Sequence, residues 1–427
     1  MRRIDFSWFV PSLQEHHRCR PAEYVAHLLG HEGAGSCLAA LKAAGLATDL
    51  SAGLQEDTSA AAEFAVSVDL TPRGASELDS VVAAVLAFLG FLVRAGPQAW
   101  VQEELRGLAA LRFKFAESEP EVDYCRRIAL SMAQPFYPPE PDAVLSGDHL
   151  LSAWRPELVE ELLSRLTPSS LLLTVVIAES GAAGDGGDAA GPGGEWQVEP
   201  WFDTQFRVCP PLSAERRSLW DEAYAGAGGG PGDAPWAALF ALPKPNPYIP
   251  TDLSLLCPPP AGGADPSSKP SPPSLLESTQ SGCVFCLPDS RFFAPKGVVA
   301  LEIGTPGASA SIERRLLGEL AAKVCAELLN EESYSASLGG LGLEIFATPR
   351  GWALQVDGFS HKMAQLGVRA CETLASLATR GDDAEVGEAF SRVLQQYELG
   401  LSNACARSSP PHRLAARLLR SGPRLPL

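Results

Sequence analysis

His27-Leu-Leu-Gly-His31-Glu32-Gly33 is the densest group of chemically capable side chains in this sequence. Two histidines four residues apart share a helix face, which is how helical zinc sites pair their imidazole ligands around a glutamate base. Here the glutamate follows the second histidine, and neither HExxH nor HxxEH can be written across these residues. Glu15-His16-His17 fails as well, because HxxEH would need a histidine at position 12, where Ser12 stands. By spacing alone the cluster reads as a polar turn before a helix, its groups satisfied by backbone. Cys283-Val-Phe-Cys286 is a CxxC with no second pair at a zinc-site spacing. Residues three apart on a strand point to opposite faces, so this reads as two buried thiols in a strand. No GxSxG elbow and no GxxxxGK[ST] loop occurs. No catalytic residue and no metal ligand set is visible.

Composition narrows what such residues could serve. The chain has 427 residues, with 34 Lys+Arg against 51 Asp+Glu, a net charge of −17. Phosphate backbones would repel it, so nucleic acid is excluded as a partner class. The longest apolar run, Val81 to Val93, is short of the roughly 20 residues a bilayer needs and is flanked by charges. It reads as a buried helix, and no membrane partner is expected. The N-terminus lacks an apolar stretch of signal-peptide length, which predicts a cytoplasmic, reducing setting and mostly buried free thiols among ten cysteines.

The elements that must position these side chains fall into two blocks. In residues 1–178 the patterns predict strands at Ile4–Val10, Glu63–Leu70 and Ser170–Ala178. Helices are expected over LAALKAAGL, from Thr71-Pro72 to Val93, from Gly96-Pro97 to about Phe115, and near 119–133 and 147–166. Residues 179–281, rich in Gly, Pro and Ser, read as a low-complexity loop and inter-domain linker. In 282–427 a strand at Val298–Ile303, a helix at Ser311–Leu329 and a hairpin over Leu341–Phe359 precede helices at about 361–379 and 382–405. Strand, helix, strands, helix, helix in both blocks predicts an α+β fold: two incomplete copies of a sheet with helices on one face.

The histidine cluster also carries a resemblance. Tyr24-Val-Ala-His27-Leu-Leu-Gly-His31-Glu32-Gly33-Ala-Gly-Ser36 resembles the second domain of the insulysin/pitrilysin-type zinc metallopeptidases, the family of insulin-degrading enzyme. So do Gly96-Pro97-Gln98-Ala-Trp100, Leu111-Arg-Phe-Lys-Phe115 and Trp154-Arg-Pro-Glu-Leu158. Asn246-Pro-Tyr-Ile-Pro-Thr251 is similar to the family's inter-domain hinge, and Arg291-Phe-Phe-Ala-Pro-Lys296 to the start of its third domain. The matches run in order along the chain.

The resemblance implies a four-domain chamber that closes around a peptide, with zinc bound by HxxEH in the first domain. This chain would cover most of domain two (1–178) and the first part of the third, middle domain (282–427), with no HxxEH and no cofactor of its own. The implied role is to anchor substrate N-termini at an exosite formed by His27, Gly30 and Glu32 with Leu50, Ser51 and Gly53. Ala52 and Leu54 depart from the family's pattern there. The implied partners are peptide substrates, together with a separate zinc-bearing peptidase chain or a second copy in a homodimer. An alternative is a non-catalytic subunit that completes the chamber of an HxxEH-bearing peptidase.

Overall fold

The structure, a computed structural model, describes residues 2–133, 141–147, 149–177, 195–209, 212–227, 230, 234–256, 272–288 and 292–406. It divides the chain into two compact units, Met1–Pro245 and Asn246–Leu427.

The first unit opens with β1 (Arg2–Val10), in which Ile4, Phe6, Trp8 and Val10 are buried on one face. That period of two is the strand signal in the sequence. Next come α1 (Pro21–Leu29), α2 (Cys37–Ala43), β2 (Ala47–Asp57) and β3 (Ala62–Leu70). After α3 (Pro72–Ser76), α4 (Leu78–Ala95) runs through the core, with Val81 to Leu89 all buried. Next are α5 (Ala99–Lys114), α6 (Glu121–Ala133), α7 (Pro141–Ser146), α8 (Pro156–Arg165) and β4 (Leu172–Ile177). The sheet order is β2-β3-β1-β4, all antiparallel, with Ile4 opposite Val68 and Val175. β2 and β4 are therefore its edges.

Two expected helices are broken. Glu77 leaves the helical region (φ −117, ψ 46) and separates α3 from α4. Pro156 starts α8 afresh, so the helix expected over 147–166 begins only there, its missing N–H harmless in the first turn.

Residues placed in the linker by composition contribute to the first unit. A short hairpin joins β5 (Gln197–Val198) to β6 (Gln205–Phe206). Helix α9 (Ala214–Ala225) then docks on α4. Arg216 Nε and Nη2 donate to the two Asp79 carboxylate oxygens at 2.8 Å each, and Trp220 is buried beside them. Contact is close enough that a Cβ on Gly90 would lie 1.8 Å from the Tyr224 carbonyl oxygen. The unit boundary accordingly falls at 245/246, not at the edges of 179–281. Low Gly/Pro segments within that stretch carry enough apolar and charged anchors to fold. The glycine-rich run 180–194 lies outside the described residues.

The second unit begins at the Asn246 motif. Asn246 Nδ2 donates to the Ser335 carbonyl at 2.6 Å and its Oδ1 accepts the Tyr248 amide at 2.9 Å. A hairpin of β7 (Ser274–Ser278) and β8 (Cys283–Cys286) precedes β9 (Lys296–Gly304). Then come α10 (Ile312–Leu328), α11 (Asn330–Leu338), β10 (Leu341–Thr348), β11 (Gly351–Phe359), α12 (Ser360–Ser376) and α13 (Ala384–Ala406). The sheet order β10-β11-β9 repeats β2-β3-β1 of the first unit. Its core gathers Cys325, Leu329, Leu341, Leu354, Val356 and Leu366. Val298, Val299 and Leu301 of the edge strand β9 are exposed.

The CxxC expectation needs correcting. Cys283 and Cys286 are in a strand, but Cys283 is exposed and Cys286 half-buried, because the two-stranded ladder has no core beneath it. Of the eight cysteines whose side chains the structure describes, all free, three are buried.

Candidate functional site

α1 sets the histidine turn in place. Pro21 occupies its first turn, while Ala22, Val25, Leu28 and Leu29 pack inward. The Tyr24 hydroxyl accepts the Gln98 amide at 2.7 Å, and its ring lies 5.6 Å from that of Trp154. These contacts join three motifs distant in sequence. The helix stops at Gly30, whose amide donates to the Ala26 carbonyl at 2.8 Å. His27 is therefore helical, in the last turn, where the sequence suggested only a polar turn.

His27 is half-buried, with the His31 ring edge-on at 6.0 Å. Burial first, then His31 and Arg112, push its pKa down to about 4. His31 Nδ1 accepts the Gly33 amide at 2.9 Å, so that nitrogen carries no proton. Glu32 is 29% exposed, with Lys42 Nζ of α2 3.9 Å from its carboxylate. Gly35 turns the chain at φ +79, and Ser36 Oγ caps α2 by accepting the Ala39 amide at 3.1 Å. Gly35 O accepts the Ala241 amide at 3.0 Å.

α1 packs against β2, so this turn meets the outer strand of the sheet. A Cβ on Gly30 would lie 3.8 Å from the Ala52 amide nitrogen. Of the six residues singled out in the sequence, His27 lies in the last turn of α1, Gly30 and Glu32 on the turn after it, and Leu50, Ser51 and Gly53 on β2, the two segments meeting at Gly30 and Ala52. Leu50 is buried, Ser51 exposed and Gly53 half-buried with open space beside its Cα. The Leu50 amide already has a partner, Asp49 Oδ1 at 3.0 Å.

Chemically, this arrangement suits holding rather than cutting. β2 pairs with β3 alone among the described strands, so alternate amides and carbonyls along its other edge can receive an extended peptide. Carbonyls at the C-terminal end of α1 and the Glu32 carboxylate favour a cation beside them. Zinc does not fit the same residues. Among the described residues no three His, Cys, Asp or Glu come together, and His31 Nδ1 and Glu32 are turned to Gly33 and Lys42.

Periodicity missed β2, which only the resemblance implied as a glycine-containing strand at 50–53, and no sequence pattern signalled the roles of Lys42, Asp49 and Arg112. β2 carries Asp49, Gln55, Glu56 and Asp57 on an exposed edge, so its alternation is weak. Lys42 and Arg112 act across elements, and Asp49 acts on its neighbour's amide within β2; nothing in local spacing announces them.

Comparison with known proteins gives a consistent picture. The family described as the middle or third domain of peptidase M16 matches residues 113–421, and the peptidase M16 inactive domain matches residues 1–107. A nardilysin-like protein of Arabidopsis thaliana is 30% identical over 368 residues, covering 85% of this chain and 33% of its own length. Human insulin-degrading enzyme is 28% identical over 421 residues, covering 98% of this chain and 37% of its own. The chain thus spans about a third of the length of the curated relatives it matches. A crystal structure of pitrilysin superposes with a TM-score of 0.70 at 21% identity, over 93% of this chain and 38% of that one. That likeness extends to the fold.

Proposed function

Since the chain belongs to the M16 peptidase family, we propose that it is the peptide-holding portion of an insulin-degrading-enzyme-like zinc metalloendopeptidase, with the zinc bound elsewhere. It anchors substrate N-termini at the turn after α1 and along the edge of β2. The carrying observation is the junction itself: Gly30 against Ala52 on an edge strand, with Glu32 and a helix C-terminus beside it. His27, Gly30 and Glu32 receive the α-ammonium, while Leu50, Ser51 and Gly53 carry the main chain. His27, neutral above about pH 6, adds no charge that would repel an ammonium. Free thiols on all eight cysteines with described side chains suit a reducing compartment such as the cytoplasm.

Binding of labelled peptides, free or acetylated at the N-terminus, tests the anchor. Glu32→Ala is expected to weaken the free peptide about fivefold, the effect of about 1 kcal/mol for a partly exposed ion pair, and the acetylated one less than twofold. Equal weakening of both would remove the ammonium-binding role. Metal analysis is expected to find no stoichiometric zinc in the purified chain.

The match to an inactive domain also favours a second reading, a non-catalytic partner that completes the chamber of an HxxEH-bearing chain. Stable co-purification with a separate zinc-bearing peptidase chain would select it over the first.

A further inference from the structure

This inference rests on the anchoring reading and adds a side-chain pocket to it. Residues directly opposite each other in an antiparallel sheet share a face. Leu54 stands opposite Phe64, and Phe64 opposite Trp8, so the three belong to the face that packs on the core. Phe64 and Trp8 are fully buried, whereas Leu54 is 37% exposed. A core-facing leucine is left uncovered at the edge of the sheet.

The cause lies in α1. That helix packs against β2 and covers it near Ala52, where Gly30 approaches. Towards its first turn, helix and strand enclose an open cavity of about 490 Å³, within the roughly 300–1,000 Å³ of ligand pockets. Leu13, Pro21, Ala22 and Ala26 form its apolar walls together with Leu54. The polar groups at its rim are answered from within the chain. Arg20 Nη1 pairs with Glu23 at 2.9 Å, and Arg20 Nε and Nη2 are buried. Asp57 Oδ1 accepts Ser12 Oγ and the Leu13 amide at 3.0 and 3.2 Å, and the Asp57 carbonyl accepts Gln14 Nε2 at 2.6 Å. A charged guest would meet both signs at this rim and gain little. Burial of apolar surface is the interaction the cavity supplies.

The cavity lies along the path of an anchored peptide. A strand added to the free edge of β2 puts its residue opposite Leu54 on the same face, with the side chain directed into the cavity. When the first residue lies beside Ala52 at the Gly30 turn, the third lies opposite Leu54, about 7 Å further along. We infer that the cavity is a pocket for a large apolar side chain, phenylalanine or leucine, at the third residue of the bound peptide. Leu54, one of the two positions at which the strand departs from the family's pattern, is its specificity-determining residue.

The test uses the full chain and fluorescence anisotropy. Peptides with free N-termini carry Phe, Leu, Ala, Glu or Lys at each of positions two to five, each also made in acetylated form. Phe or Leu at position three is expected to bind about tenfold tighter than Ala, through burial of that side chain and of Leu54, with Glu and Lys no tighter than Ala. Leu54→Gln, on the exposed edge, is expected to cut the preference to about threefold. Ala26→Leu, which fills the cavity from α1, is expected to abolish it with an unchanged circular dichroism spectrum. If acetylation weakens binding but the five residues bind equally everywhere, or Glu or Lys binds tightest, the pocket falls and the anchor stands. An apolar preference at another position only, or one that both variants leave intact, would also overturn the pocket. If acetylation has no effect while the apolar preference persists and the variants remove it, the anchor falls; if neither matters, both fall.

Discussion

His27 should make the first unit sensitive to acid in a window that can be calculated. Burial, with His31 and Arg112 nearby, holds its pKa at about 4, against 6.5 for a free imidazole. As pH falls, the unfolded chain takes the proton first. The stabilisation is complete above pH 6.5 and is lost as pH falls towards 4, with no further loss below. At about 1.4 kcal/mol per unit, the full gap would amount to about 3 kcal/mol. Because His27 keeps some contact with solvent, about 2 kcal/mol is the expected size. Urea unfolding at pH 7 and pH 4.5, on the native chain and on His27→Gln, would measure it. Carboxylates titrate in both proteins and cancel in the comparison. The native chain should lose about 2 kcal/mol more than the variant between the two pH values. Parallel losses in the two proteins would refute the assignment of the shift to His27.

Two further outcomes follow from contacts at and near the site. Helix propensity alone makes Gly90→Ala stabilising by about 1 kcal/mol. The 1.8 Å approach to the Tyr224 carbonyl reverses the sign, and a net loss of about 2 kcal/mol is expected from overpacking. Hydrogen exchange should show α9 loosened around Trp220, and an unchanged or raised Tm would contradict the α4–α9 packing. Lys42→Ala removes the ammonium that competes for Glu32, so peptides with free N-termini should bind about twofold tighter. Weaker binding in an anisotropy titration would mean that Lys42 positions Glu32 rather than competing for it.

Much of the fold was legible because strong periodicity survives burial. β1, β3, α10 and the β10–β11 hairpin match their sequence patterns closely, since each has one apolar face and a clear boundary residue. β2 and α9 were not. β2 has one paired edge and polar residues along much of its length. α9 lies between Gly/Pro-rich runs and owes its position to Asp79, more than a hundred residues earlier. The six candidate residues came from a resemblance, and the structure puts them on two adjoining segments, the end of α1 with its following turn and β2, which meet at Gly30 and Ala52.

The hydrogen bond from Ala241 to the Gly35 carbonyl has a practical corollary. Position 35 is wedged against Ala241, whose methyl would be 2.9 Å from any added Cβ. The loop that presents Glu32 thus leans on a buttress delivered two hundred residues later. A shortened polypeptide trimmed at residue 178 would retain every proposed peptide contact yet lose that brace, and the loop should lose its grip before the sheet beneath it unravels.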